Sequence, residues 1–259
     1  MTEKTLFPIL DHGYVRLVET WGSDEAIIEA ARMSTSKGFQ GWGDAGFCEK
    51  APGKEAQCER GVVGCVIKHT GDEKLLAYLY NNKHMTPFEM AGMVIEVKAP
   101  IFVFREWHRH RTQSYNELSA RYTPLPDENY LPTVERLMMQ GGMNKQAQGT
   151  GKTLSQADAE YFIDALRSSY SMAQNVYAQG LNLGVPKELA RLPVPVARYS
   201  KMRASANLRN WLQFLTLRTD PAAQWEIRQY ADTVATLASS LFPRTLALWA
   251  ESENYTNRW

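Results

Sequence analysis

Residues 105 to 121 carry Arg105, Arg109, Arg111 and Arg121 against two carboxylates, Glu106 and Glu117. Arginine is permanently charged and offers five donors, so a dense group of arginines calls for carboxylate or phosphate acceptors. A solvated basic face would need only the charge. Here Ser114, Asn116, Glu117, Ser119 and Tyr122 are interleaved with the arginines. Such a mixture of donors and acceptors suits a site that reads phosphate, ribose and base together. A second basic stretch, Leu189 to Thr219, holds Arg191, Arg198, Lys201, Arg203, Arg209 and Arg218 with no Asp or Glu. With 29 basic and 28 acidic residues overall, the excess is local. That pattern points to compact polyanionic ligands rather than to a protein that coats nucleic acid.

Other candidate chemistries are weaker. GTGKT at 149 to 153 resembles part of a phosphate loop, but the pattern needs glycine where Gln146 stands. Cys48, Cys58 and Cys65 lie in no CxxC or Cys/His arrangement, and their surroundings are Gly-rich or apolar rather than basic. They read as idle thiols, not nucleophiles or zinc ligands. His108 and His110 are two apart and so share no helix face, and His84 is distant, so no metal site is expected. His108 reads equally well as structural. Trp107, Trp211 and Trp225 occupy apolar helical positions and read as core.

RHRTQSYNELSARY, residues 109 to 122, resembles the signature RHRxxSxNxxSxRY of the flavin-dependent thymidylate synthases. All eight fixed positions match: Arg109, His110, Arg111, Ser114, Asn116, Ser119, Arg121 and Tyr122. HMTPFE at 84 to 89 is similar to the family's HxTPFE turn, and AARMS at 30 to 34 to its early helix end. NLRNWLQFLTLR (207 to 218) and AQWEIRQYA (223 to 231) resemble its C-terminal helices.

The resemblance implies reductive methylation of dUMP to dTMP. FAD would be the cofactor, with NADPH and 5,10-methylenetetrahydrofolate as co-substrates. It places FAD contacts at Ser34, His84, Thr86, Arg109, His110 and Arg111, and at Glu117, Asn207, Leu208, Arg209 and Gln213. For dUMP it implies Glu106, Trp107, His108 and Arg109; Glu117, Leu118, Ser119, Ala120 and Arg121; and Arg191 and Arg218. Arg121 and Arg191 would meet the phosphate, assisted by Ser119. Arg218 is the implied catalytic residue, stabilising negative charge on the uracil ring as C5 becomes nucleophilic. The family also implies a homotetramer with sites shared between subunits, and no nucleic-acid or membrane partner. Two positions depart from many relatives. Glu106 stands where they carry Gln, a charge unfavourable beside a phosphate unless it turns toward Arg105 or offers only backbone. Pro221-Ala222 lacks a histidine that some relatives have. UMP or dCMP therefore stays open as the substrate, and an Arg-rich nucleic-acid-binding protein is the reading from another class.

Several elements must position these residues. The pattern predicts an extended segment at 14 to 19 and a helix capped by Ser23, with Ile27, Ile28, Ala31 and Met33 inward. Next come a Gly-rich loop at 37 to 61, a helix over 62 to 80 and a turn at 83 to 89. The alternation of MVIEVK at 93 to 98 makes it the best strand. Pro100 suits the first position of a helix carrying IFVFREWHRHR, with the arginines on it or just after it. A linker at 140 to 153 leads to a long amphipathic helix from 155 to about 179, closed by Gly180. Three more helices are predicted over 207 to 218, 222 to 240 and 243 to 251.

Helix outweighs strand, giving an α+β (α/β) class, and the resemblance implies a mostly helical fold around a central, mainly antiparallel sheet. We read residues 1 to 259 as one domain with insertions at 37 to 61 and 140 to 153. The N-terminal residues lack the apolar run of a signal peptide and no stretch reaches membrane-span length, so a cytoplasmic location is expected.

Overall fold

The structure, a computed structural model, describes residues 6–42, 71–139 and 154–255. The three cysteines, the GTGKT segment, the linker, most of the Gly-rich loop and the 62 to 70 part of a predicted helix lie outside the described residues.

Five strands form one antiparallel sheet in the order β1-β2-β3-β5-β4. They are β1 (Leu6–Ile9), β2 (Gly13–Trp21), β3 (Gly92–Pro100), β4 (Ser114–Glu117) and β5 (Tyr199–Asn207). β3 is central and nearly all buried, as the alternation of MVIEVK requires once both faces are covered. β1, β4 and β5 were not foreseen. β5 does alternate, with Met202, Ala204 and Ala206 buried and Lys201 and Arg203 exposed, but its inward residues are small and of low strand preference. β4 is recruited by pairing: Ser114 faces Ser205 and Glu117 faces Met202.

The helices are α1 (Asp24–Arg32), α2 (Asp72–Asn81), α3 (Ile101–Trp107), α4 (Val134–Met138), α5 (Gln156–Asn182), α6 (Lys187–Ala190), α7 (Leu208–Arg218), α8 (Trp225–Leu241) and α9 (Pro243–Ser252). None of the described helices is long and apolar enough to cross a membrane. Ser23 caps α1 by accepting from the Ala26 N–H at 3.2 Å, as predicted. Three details differ from expectation. Met33 is exposed, because α1 gives way there to a 3-10 turn. Pro100 is the N-cap of α3, still extended as the last residue of β3, and α3 ends at Trp107 rather than running through the arginines. Gly180 lies inside α5, whose chain reversal falls instead on Gly184, at a φ of 80°.

The chain divides into two compact units. The first comprises residues 1–19, 94–206 and 213–236, and the second residues 20–93, 207–212 and 237–259. The first unit's core is drawn from Ile95, Val97, Phe104, Trp107, Tyr199, Phe214, Ile227 and Tyr230. Within it the Tyr230 hydroxyl donates to the Lys98 carbonyl at 2.9 Å. Gly13 is required beside that bond, since a Cβ there would sit 2.1 Å from the Tyr230 hydroxyl. The second unit's core includes Ile27, Ile28, Leu76, Phe88, Trp211, Phe242 and Trp249.

The opening residues of the predicted Gly-rich loop are ordered by a charge. Asp72 is fully buried at the start of α2, pairs with Arg32, and accepts from the Gln40 and Gly41 N–H groups at 2.7 and 3.0 Å. Burial acts to raise its pKa, but these donors outweigh it and hold the carboxylate below its ordinary value.

Candidate functional site

The signature motif begins where α3 ends. His108 caps the helix, and the chain then turns through residues 108 to 113 into the edge strand β4. The turn is stitched by backbone bonds: His108 N–H to Phe104 O at 2.8 Å, His110 N–H to Trp107 O at 3.0 Å, and Gln113 N–H to His110 O at 3.2 Å. The Tyr115 hydroxyl lies 2.8 Å from the His110 carbonyl and 3.1 Å from that of Trp107, tying β4 back onto the turn. Trp107 anchors the turn from below. It is fully buried, stacks on Phe214 with ring centroids 4.5 Å apart, and donates its indole N–H to Gln113 at 3.1 Å. Trp107 thus offers a ligand only its backbone.

Arg218, the last residue of α7, reaches the same turn. Its Nε–H donates to His110 Nε2 at 2.9 Å, Nη1 to the Glu106 carboxylate at 3.1 Å, and Nη2 to the Glu106 carbonyl at 2.8 Å. Glu106 therefore turns to Arg218, not to Arg105. Its backbone oxygen belongs to the last turn of α3, whose carbonyl end favours a cation. His110 is buried, with its ring edge on to Phe214 at 4.9 Å. Burial, then the Arg218 charge, lower its pKa to about 4. At neutral pH it is an uncharged acceptor.

Folding is therefore linked to pH through this ring. The unfolded imidazole takes a proton near 6.5, the folded one only near 4. Its contribution is complete above about 6.5 and is lost as pH falls toward 4, by up to about 3 kcal/mol. We expect urea midpoints at pH 7.5 and pH 5 to differ less for His110→Gln than for the unsubstituted protein. Equal pH sensitivity in the two would remove His110 as the source.

The remaining cations divide by partner. Arg109, Arg111 and Arg191 are exposed and make no ion pair among the described residues. Arg121 pairs with Glu188 at 2.9 Å, both half in solvent, an arrangement worth little and readily exchanged for another anion. Ser119 shapes the turn before Tyr122: its hydroxyl accepts from Arg121 N–H at 3.3 Å and its carbonyl from Tyr122 N–H at 3.0 Å. Leu118 donates its N–H to the Lys201 carbonyl at 2.8 Å, Ala120 is buried, and Glu117 is exposed on β4. His108 is exposed, its ring 4.9 Å from Tyr115. Gln213 is exposed on α7.

Arg198 breaks the pattern of the acid-free stretch. It is fully buried, donating to Pro126 O at 2.6 Å and Gln174 at 2.8 Å and pairing with Asp127 at 3.0 Å. It fastens the loop that carries Pro126 and Asp127. Nor is Trp225 core: it is half-buried, with the Arg136 guanidinium 5.4 Å from its ring centre.

Ser34, His84, Thr86, Asn207, Leu208 and Arg209 belong to the second unit. Ser34, His84, Thr86 and Arg209 are exposed there. Ser34 donates to the Ala31 carbonyl at 3.1 Å, His84 lies edge on to Tyr78 at 5.6 Å, and Arg209 pairs with Glu89. The Asn207 amide oxygen accepts from Asn210 N–H at 3.0 Å and so caps α7, while Leu208 is buried.

Sequence reasoning missed Gln113, Tyr115 and Phe214. Gln113 accepts from an indole N–H, Tyr115 meets main-chain carbonyls and Phe214 meets rings, and none of these contacts leaves a signature in residue type.

The mixed α/β fold sets arginines that have no ion pair among the described residues beside a buried, neutral imidazole, an arrangement suited to anions. Comparison with known proteins gives the class its family. The model of the family described as thymidylate synthase complementing protein matches residues 16–244. A flavin-dependent thymidylate synthase of Thermosipho africanus is 36% identical over 239 residues, covering 92% of this chain and 91% of that protein. One of Thermus thermophilus is 37% identical over 244 residues, covering 94% and 78%. Among solved structures, a UMP/dUMP methylase, PolB, of Streptomyces cacaoi bound with 5-Br UMP superposes with a TM-score of 0.73 at 29% identity, covering 97% of this chain and 99% of that one. The same methylase bound with 5-Br dUMP also gives 0.73, at 30% identity. The chain belongs to the flavin-dependent thymidylate synthase family.

Proposed function

We propose that this protein converts dUMP to dTMP, taking the one-carbon unit from 5,10-methylenetetrahydrofolate and reducing equivalents from NADPH through bound FAD. The observation that carries the reading is the Arg218 cluster beside the motif turn: a buried neutral His110 and Glu106 hold one guanidinium next to exposed arginines that have no carboxylate partner among the described residues. Arg109 and Arg111 suit the FAD diphosphate, since exposed guanidiniums with no ion pair among the described residues can bind its oxygens bidentately. Ser34, His84, Thr86, Glu117, Asn207, Leu208, Arg209 and Gln213 are the further proposed FAD positions, by family resemblance. When bound, the flavin supplies the hydride.

The chain's own work is binding and electrostatics. Arg191, with no ion pair among the described residues, can meet the dUMP phosphate, and Arg121 can join it by exchanging Glu188 for the phosphate oxygens. Ser119 sets the turn that aims Arg121. Arg218 stabilises charge that develops on the uracil ring as C5 attacks the one-carbon unit. The homotetramer and a cytoplasmic location complete the proposal.

We expect purified protein to be yellow or to take up FAD, with an absorbance that bleaches on addition of NADPH. Well-folded protein that never binds FAD would end this reading. A second reading has a specific support, because the UMP/dUMP methylase of similar structure binds 5-Br UMP as well as 5-Br dUMP. Product formation from dUMP and UMP, compared at equal concentrations, decides between them.

A further inference from the structure

Three of the five N–H groups of Arg218 are engaged by the protein itself, one on each nitrogen. Two remain, one on each terminal nitrogen. The three acceptors differ in kind. The Glu106 carbonyl is held by α3, and the His110 ring is buried against Phe214, with its own carbonyl bonded by Tyr115. The Glu106 carboxylate is 42% exposed and free to adjust, whereas Arg218 is only 15% exposed.

We propose that Glu106 and His110 are positioning residues that pin the Arg218 guanidinium in one orientation, presenting its two remaining N–H groups as a fixed donor pair to the pyrimidine. The proposal rests on the reading that this protein methylates a pyrimidine nucleotide. A long side chain left loose would have to be ordered as the ring became anionic, whereas donors fixed beforehand need no rearrangement in the transition state. His110 can serve only as a neutral ring, because a protonated imidazole would turn a donor toward a donor. Glu106, where relatives often carry Gln, spends its charge on Arg218 and so does not oppose a phosphate.

The test uses the FAD-loaded enzyme with dUMP, methylenetetrahydrofolate and NADPH. Glu106→Ala should lower kcat about tenfold or more while KM for dUMP moves less than about threefold. Glu106→Gln should return kcat to within about threefold of the original, because its amide oxygen can accept the same Nη1–H. His110→Phe keeps a ring on Phe214 but removes the acceptor, and should behave like Glu106→Ala. A Glu106→Ala enzyme with undiminished or raised kcat would overturn the proposal, since the carboxylate would then be a competitor for Arg218. Failure of Glu106→Gln to rescue would overturn it equally. If the unsubstituted protein turns over neither dUMP nor UMP, the functional reading fails, and pinning is decided separately by nitrogen-resolved NMR of the guanidiniums. Slow solvent exchange of the Arg218 Nε–H that is lost in His110→Phe supports the pinning, and fast exchange in the original protein refutes it.

Discussion

Arg218→Ala is expected to lower kcat for dUMP methylation by about a hundred- to a thousandfold while FAD uptake persists, the scale seen when one preorganised donor to a developing oxyanion is removed. The fold should tolerate the change. Glu106 is 42% exposed and regains water, so the chief stability cost is the unpaired His110 Nε2, about 1–2 kcal/mol. Loss of the guanidinium also removes the second of the two influences that depress the His110 pKa, leaving burial alone. The measurement pairs steady-state kinetics with urea unfolding of the same sample. Turnover unchanged from the original enzyme would strip Arg218 of its role. A loss of activity that tracked a loss of folded protein would do the same.

The second large effect is on stability. Trp107→Ala should cost about 3–5 kcal/mol, because it removes one of the largest fully buried side chains of the first unit and leaves a cavity that Phe214 cannot fill. Phe214 and Tyr230 lose ring contacts at 4.5 and 6.4 Å, and the Gln113 side-chain oxygen loses its donor. The damage reaches function because the His110 N–H bonds the Trp107 main chain, which the buried ring no longer holds in place. FAD affinity should fall together with stability. Trp225→Ala is the contrast: half-buried under Arg136, it should cost only about 1 kcal/mol. Comparable losses for the two would mean that burial does not separate them.

Those two tryptophans show how much the sequence conveyed. Both stand at apolar helical spacing, and nothing local distinguishes the one that roofs a core from the one that receives a guanidinium. The same limit divided the arginines. Arg198 and Arg191 are seven residues apart in an acid-free stretch. One is buried on Pro126, Gln174 and Asp127, and the other is exposed without an ion pair among the described residues. The partners of Arg198 lie in other elements, and one of them is a carbonyl, which any residue could supply.

The sequence by itself determined the family, through the residues of RHRTQSYNELSARY. It also determined the elements whose periodicity is strong: β3, the capped α1, the long α5 and the C-terminal helices. Hydrophobic period and cap residues act within a few positions, so they are legible along the chain. Only the tertiary structure decided that the motif's middle is an edge strand, since β4 exists through its pairing with β5. Only the tertiary structure gave Glu106 its partner, more than a hundred residues away in Arg218. Ion pairs and strand pairing of that kind depend on which segments folding brings within a few ångströms, and no spacing along the chain records it.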